Sequence, residues 1–128
     1  MAIYAFANQK GGVGKTTVTL GVAAALARRD VSALLVDLDP QASATKVLGI
    51  DVDERVTVAD AMLEPERFAL SQAIVKSPWG FDVAPAETAL ASRESRRATA
   101  DEFVLRDQLE QVEGYQVVLM DCPPSLGV

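Results

Sequence analysis

Residues Asn8 to Thr17 read Asn-Gln-Lys-Gly-Gly-Val-Gly-Lys-Thr-Thr, between the apolar run Ile3, Tyr4, Ala5, Phe6, Ala7 and an alanine-rich segment. This order predicts a strand, a glycine-rich loop and a helix. Gly11, Gly12 and Gly14 let the backbone turn tightly with its N–H groups pointing inward, which makes a nest for phosphate oxygens at a helix N-terminus. Lys15 adds a positive charge, and Thr16 stands where the hydroxyl of a phosphate loop ligates Mg²⁺. A glycine-rich turn without a ligand is the alternative. Lys-Thr directly after the last glycine, between strand and helix, favours the phosphate loop, with Lys10, Gly11, Gly12, Val13, Gly14, Lys15, Thr16 and Thr17 as its phosphate-binding residues. The general pattern G-x-x-x-x-G-K-[ST] has glycine where this chain has Gln9, and a second lysine, Lys10, precedes the glycines.

The rest of the chain is consistent with an α/β fold, a mostly parallel sheet flanked by helices. Ile3–Asn8 suits a fully buried parallel strand. Thr16–Arg29 is apolar on most sides and ends in two arginines, which predicts a mostly buried helix. Ala33–Asp37 is a short apolar strand ending in acid, and strand–helix–strand alternation implies a parallel sheet. Asp37 and Asp39 then fall at the carboxyl edge, where open α/β sheets bind ligands. A short helix is expected over Gln41–Gly49, another from a Thr57 cap through Leu63, short strands at Ile74–Val75 and Phe81–Ala84, and helices over Glu87–Arg97 and Asp101–Val112. The last strand, Tyr115–Met120, leads into Asp121, and Pro123 and Pro124 forbid its continuation.

Composition narrows the chemistry. With 128 residues one domain, residues 1–128, is expected. The absence of histidine excludes a histidine-based triad or zinc site, and one cysteine, Cys122, forms no intramolecular disulfide. A net charge of −6 argues against a general nucleic-acid surface on this stretch. The cluster Arg93, Arg96 and Arg97 is flanked by acids and reads as a solvated helix face. No apolar run approaches the ~18–20 residues that span a bilayer, nor is there a secretory leader, so a cytoplasmic location is expected. Asp121 matches the second acidic element of phosphate-loop enzymes, which holds Mg²⁺ directly or through water. Of the Asp37/Asp39 pair, Asp39 is assigned to the attacking water and Asp37 to the magnesium waters, with an exchange of the two roles left open. Cys122 is expected to be a small packing side chain and Trp79 a packing residue at a turn.

Three motifs, Asn8 to Thr17, Leu35-Val36-Asp37-Leu38-Asp39-Pro40-Gln41 and Val118-Leu119-Met120-Asp121-Cys122-Pro123-Pro124-Ser125-Leu126-Gly127, occur in the order found in the ParA/Soj-type partition ATPases. The chain resembles that family, a branch of the deviant phosphate-loop (deviant Walker A) NTPases that includes MinD. The resemblance implies an ATPase using ATP and Mg²⁺, with Lys15 acting in cis and Lys10 in trans, reaching the partner's phosphates in an ATP-dependent homodimer. It implies Asp39 for the catalytic water. Further implications are chromosome or plasmid partition, a centromere-binding ParB-type partner, nucleoid association, and non-specific DNA binding through a region absent from this chain. Asp-Pro-Gln and Pro-Pro-Ser resemble partition ATPases more than MinD, so no membrane partner is expected. Ala42-Ser43 departs from the Gly-Asn common in the family. Family members run to about twice this length, which implies either a fragment or a minimal relative. The alternatives are a truncated, non-catalytic nucleotide-binding module and a MinD-like membrane-associated regulator of the division site.

Overall fold

The structure, a computed structural model, describes residues 1–7, 14–87 and 100–123. The expected helix over Glu87–Arg97, with Arg93, Arg96 and Arg97, lies almost wholly outside the described residues, as do Lys10, Gly11, Gly12, Val13 and Pro124-Ser125.

Strand β1 (Ala2–Phe6) is followed by helix α1 (Lys15–Arg28), strand β2 (Ala33–Asp37), helices α2 (Ser43–Val47) and α3 (Val58–Leu63), and a short 3₁₀ turn at Leu70–Ala73. Strands β3 (Val75–Lys76) and β4 (Asp82–Ala84), helix α4 (Ala100–Glu110) and strand β5 (Val117–Asp121) complete the order. The five strands form one sheet in the order β1-β5-β2-β4-β3, parallel throughout except for the β3–β4 hairpin. A mostly parallel sheet between helices is therefore what the chain forms.

Alternation along the strands sorts the core onto two faces. From β2, Leu34 and Val36 join Val118, Val58, Met62, Leu70, Leu109 and Val112 on the side of α3 and α4. Ala33 and Leu35 join Leu119, Val83, Leu20, Ala23 and Leu48 on the side of α1 and α2. Buried on both faces, β2 and β5 read as unbroken apolar runs for the reason parallel strands generally do. On α4, Leu109 is buried and Leu105 half-buried, as their spacing predicts, while Val112, also buried, lies past Glu110, where the helix ends two residues short of the expected bound. The same helix buries Gln108, which donates to Ala61 O (3.0 Å) and Phe68 O (2.8 Å) and accepts from Leu70 N–H (2.9 Å).

Two expectations of burial are corrected. β1 pairs only with β5, so among the described residues its outer edge carries no strand, and Ile3 and Tyr4 are 44% and 56% exposed. Helix α1 buries one face, with Thr19, Leu20 and Ala23, while Val18, Gly21 and Ala25 face outward. Alanine and glycine are as compatible with water as with a core, so an alanine-rich helix does not announce its buried side.

What the fold positions is the carboxyl edge. The register aligns Phe6, Asp121 and Asp37 across β1, β5 and β2. Main-chain bonds continue past the strands, from Cys122 N to Phe6 O (2.9 Å) and from Leu38 N to Asp121 O (2.9 Å). The chain thus leaves three adjacent strands at one level, with both acidic motifs beside the strand that enters the glycine loop.

Candidate phosphate and metal site

Gly14 stands at the N-cap of α1 with φ +90°, a left-handed conformation that glycine adopts without the steric cost a Cβ brings. No side chain caps this 14-residue helix, and its first turn holds no acid. Its first N–H groups and its dipole therefore suit an anion. Lys15 and Thr16, in the first turn, both reach across to β5. Lys15 Nζ donates to Cys122 O (2.6 Å) and lies 2.8 Å from Asp121 Oδ1 and 3.9 Å from Asp39 Oδ2. Thr16 Oγ1 donates to Asp121 Oδ2 (3.0 Å). Asp121 is fully buried, and its Oδ1 has the lysine's charge nearby but no directed hydrogen bond.

These residues fit a hard dication as well as a phosphate. Mg²⁺ takes oxygen ligands, keeps several waters and binds through one or two carboxylates plus substrate phosphates. Thr16 Oγ1 and the two Asp121 oxygens supply such donors. Among the described residues no group of three or more His, Cys, Asp or Glu is placed to hold an ion.

Asp37 and Asp39 part company in space. β2 ends at Asp37, and the carboxylate of Asp37 is fully buried. Its Oδ1 accepts Asp39 N–H (3.1 Å), and its Oδ2 accepts both Thr45 N–H (3.0 Å) and the Thr45 hydroxyl (2.7 Å). Asp39 lies beyond the strand, partly exposed; Oδ1 accepts Gln41 N–H (2.9 Å), and Oδ2 is the oxygen near Lys15. Between them and α2, Ala42 takes φ +55°, a conformation that costs an L-residue about 1–2 kcal/mol. Three features of this region were absent from the sequence reading: Thr45, the carbonyl of Cys122, and the strain at Ala42. Thr45 belongs to no short motif, a carbonyl has no sequence signature, and only the Gly-Asn departure hinted at the last.

Burial is the main reason that the Asp37 carboxyl is pushed up to about 6; the bonds from Thr45 and Asp39 oppose it, and the charge of Asp121 adds to it. The folded state therefore holds the Asp37 proton more tightly than the unfolded chain, whose carboxylate titrates near 3.8. The resulting stabilisation is fully present below about pH 4 and is lost as pH rises through about 6. Relative to Asp37→Asn in magnesium-free buffer, wild type should lose about 2 kcal/mol between pH 4 and pH 7, at ~1.4 kcal/mol per unit less the part already titrated in the unfolded chain at pH 4. Urea unfolding at several pH values measures this, and a pH-independent difference between the two proteins would contradict it. Burial likewise raises the Cys122 thiol to about 11, which makes it a packing group rather than a nucleophile.

A parallel sheet whose carboxyl edge meets an uncapped helix N-terminus, with lysine, threonine and aspartate converging there, defines a phosphate-loop nucleotide-binding domain. The chain belongs to the AAA domain family AAA_31, whose model matches residues 1–128. Over its full length it is 38% identical to the chromosome partitioning protein ParA of Caulobacter vibrioides, of which it covers 50%. It is 43% identical to the chromosome-partitioning ATPase Soj of Thermus thermophilus over 96% of this chain and 46% of that protein. Among solved structures, cobyrinic acid a,c-diamide synthase from Mycobacterium smegmatis, with bound ATP analog and magnesium, superposes with a TM-score of 0.87. It is 40% identical, over 99% of this chain and 53% of that one. The resemblance to ParA/Soj proteins read from the three motifs is thus borne out, and the chain spans about half the length of the curated relatives it matches.

Proposed function

We propose that this chain, residues 1–128 acting as one phosphate-loop domain, carries the phosphate-, magnesium- and water-handling half of an ATP-dependent dimerisation switch with weak ATPase activity, serving chromosome or plasmid partition. The observation that carries the reading is the convergence of Lys15 and Thr16 on Asp121 at the mouth of the glycine loop. The names and identities of the ParA and Soj relatives support the partition role, and the ATP analog and magnesium of the Mycobacterium smegmatis structure support the cofactors.

In this reading the N–H groups of residues 10 to 17 and the ammonium of Lys15 hold the phosphates. Thr16 Oγ1 and Asp121 hold Mg²⁺, with Asp37 behind them, and Asp39 orients the attacking water. Bound Mg²⁺ supplies charge neutralisation at the phosphates. Lys15 Nζ has three donor hydrogens, so it can keep Cys122 O and exchange Asp121 for a phosphate oxygen, which frees Asp121 Oδ1 toward the cation. Catalysis is then positioning plus electrostatic stabilisation, with no covalent intermediate on the protein. Lys10 completes the site of a second copy. A ParB-type partner, nucleoid DNA and a cytoplasmic setting follow from the same family reading; no described helix is long and apolar enough to cross a membrane.

A second reading, a nucleotide-binding module without turnover, draws on the chain's spanning half of its relatives. Phosphate release and sedimentation velocity with Mg·ATP separate the two. Wild type should release phosphate and self-associate with a non-hydrolysable ATP analogue, and Lys10→Ala should weaken association at least tenfold, about 1.4 kcal/mol. Nucleotide binding without phosphate release would favour the second reading. A Lys10→Ala chain that associates and hydrolyses normally would remove the trans role.

A further inference from the structure

Thr45 is 3% exposed on a five-residue helix and matches no catalytic motif, yet it joins three separate stretches of chain. Its N–H and its hydroxyl both donate to Asp37 Oδ2 (3.0 and 2.7 Å), and its hydroxyl oxygen accepts the buried Ala86 N–H (3.0 Å). The other oxygen of the same carboxylate holds Asp39 N–H at 3.1 Å. A continuous path thus runs from the segment after β4, through the Thr45 hydroxyl and the Asp37 carboxylate, to the backbone of Asp39. Pro85, in that segment, also accepts Val58 N–H at the start of α3 (2.9 Å). The turn that this path fixes contains the left-handed Ala42, and a strained conformation persists only where its surroundings over-determine it.

We infer that Thr45 is the positioning residue of the site, its hydroxyl fixing the Asp37 carboxylate and, through it, the orientation of Asp39; this rests on the ATPase reading above. Thr45 touches no reacting atom. It works because one hydroxyl supplies a donor and an acceptor at once, a pairing that serine reproduces and the isosteric valine does not. With valine, Ala86 N–H is buried without a partner and Asp37 Oδ2 keeps only the backbone bond.

The test compares wild type, Thr45→Val and Thr45→Ser by amide hydrogen exchange without nucleotide and by steady-state Mg·ATP hydrolysis. Thr45→Val should exchange at Asp39 and Ala86 at least tenfold faster, with Leu119 in β5 unchanged. Its kcat should fall about tenfold with KM within twofold, and Thr45→Ser should restore both. Unchanged exchange at Asp39 in Thr45→Val overturns the inference whatever the turnover. So does faster exchange with an unaltered kcat, exchange that rises equally at Leu119, or a serine variant that behaves like valine. A wild type without Lys15-dependent turnover overturns the ATPase reading and the kinetic arm with it; the exchange arm then still decides whether Thr45 fixes Asp39.

Discussion

Lys15→Ala should lose Mg·ATP binding, if the proposed phosphate role holds, and should also unfold about 3 kcal/mol more readily than wild type, because Lys15 is half of a buried ion pair. Its side chain is 7% exposed and Asp121 is fully buried, with 2.8 Å between Nζ and Oδ1. Removing one member of such a pair leaves the other charge uncompensated, which costs about 3–5 kcal/mol. Thr16 would still donate to Asp121 Oδ2, but a hydroxyl supplies a dipole rather than a counter-charge. Loss of activity in this variant therefore mixes two causes, and a second substitution separates them. Lys15→Ala with Asp121→Asn removes the stranded charge, so the double variant should regain most of the lost stability in urea at pH 7 while still failing to bind a fluorescent ATP analogue. A single variant as stable as wild type would refute the ion pair as a source of stability. A double variant that binds Mg·ATP like wild type would refute the phosphate role. Because the residues touch, the two effects should be strongly non-additive.

This coupling marks where the sequence was informative and where it was not. The expectation of a phosphate loop over Asn8 to Thr17 could be read locally because a tight turn, an anion site and a helix start call for particular residue types over a few consecutive positions, and helix α1 does start at Lys15, directly after Gly14. Ala33–Asp37 emerged as β2 with the expected bounds, since a strand buried on both faces must be apolar throughout and its acid could only fall at the exit. Thr57 stands at the N-cap of α3 as expected, and Asp60, in the first turn, accepts its N–H at 3.0 Å, although the buried Thr57 hydroxyl finds no partner among the described residues. Contacts between distant residues were not legible. The bonds from Lys15 to Cys122 and from Thr16 to Asp121 join residues 107 and 105 positions apart, and no local pattern records which carbonyl a lysine will find. Gln108 looked like one more polar residue on α4, yet three hydrogen bonds to the chain between Ala61 and Leu70 bury it. The apolar pattern of β1 reads as an interior strand, whereas β5 covers only one of its edges. Hydropathy reports what a strand tolerates; strand order decides what it meets. Asp37 and Asp39 are the sharpest case. Their i, i+2 spacing places them on one face only while the strand continues, and it ends at the first of them.

That separation makes Asp39→Ala the variant with the most selective effect. Asp39 is partly exposed, 3.9 Å from Lys15, and among the described residues its side chain accepts only Gln41 N–H, so its loss should change stability by less than about 1 kcal/mol, the usual worth of a surface ion pair. Lys15, Thr16 and Asp121 keep their mutual contacts, so Mg·ATP affinity should stay within about threefold of wild type. Turnover should nonetheless fall about 10²–10³-fold, the loss typical when one preorganised polar group that acts in the transition state is removed. Asp39→Asn should fall nearly as far, since it can still accept Gln41 N–H but lacks the charge and the basicity. Single-turnover phosphate release with saturating Mg·ATP measures this directly. If Asp39→Ala hydrolysed at the wild-type rate, the water-facing role would pass to Asp37, whose oxygens are already committed to Thr45 and to the Asp39 backbone. A fully buried carboxylate with three of its acceptor sites taken offers water little access. Asp39, partly exposed, with Oδ2 3.9 Å from Lys15 Nζ and without a hydrogen bond to that oxygen among the described residues, has no such enclosure to overcome.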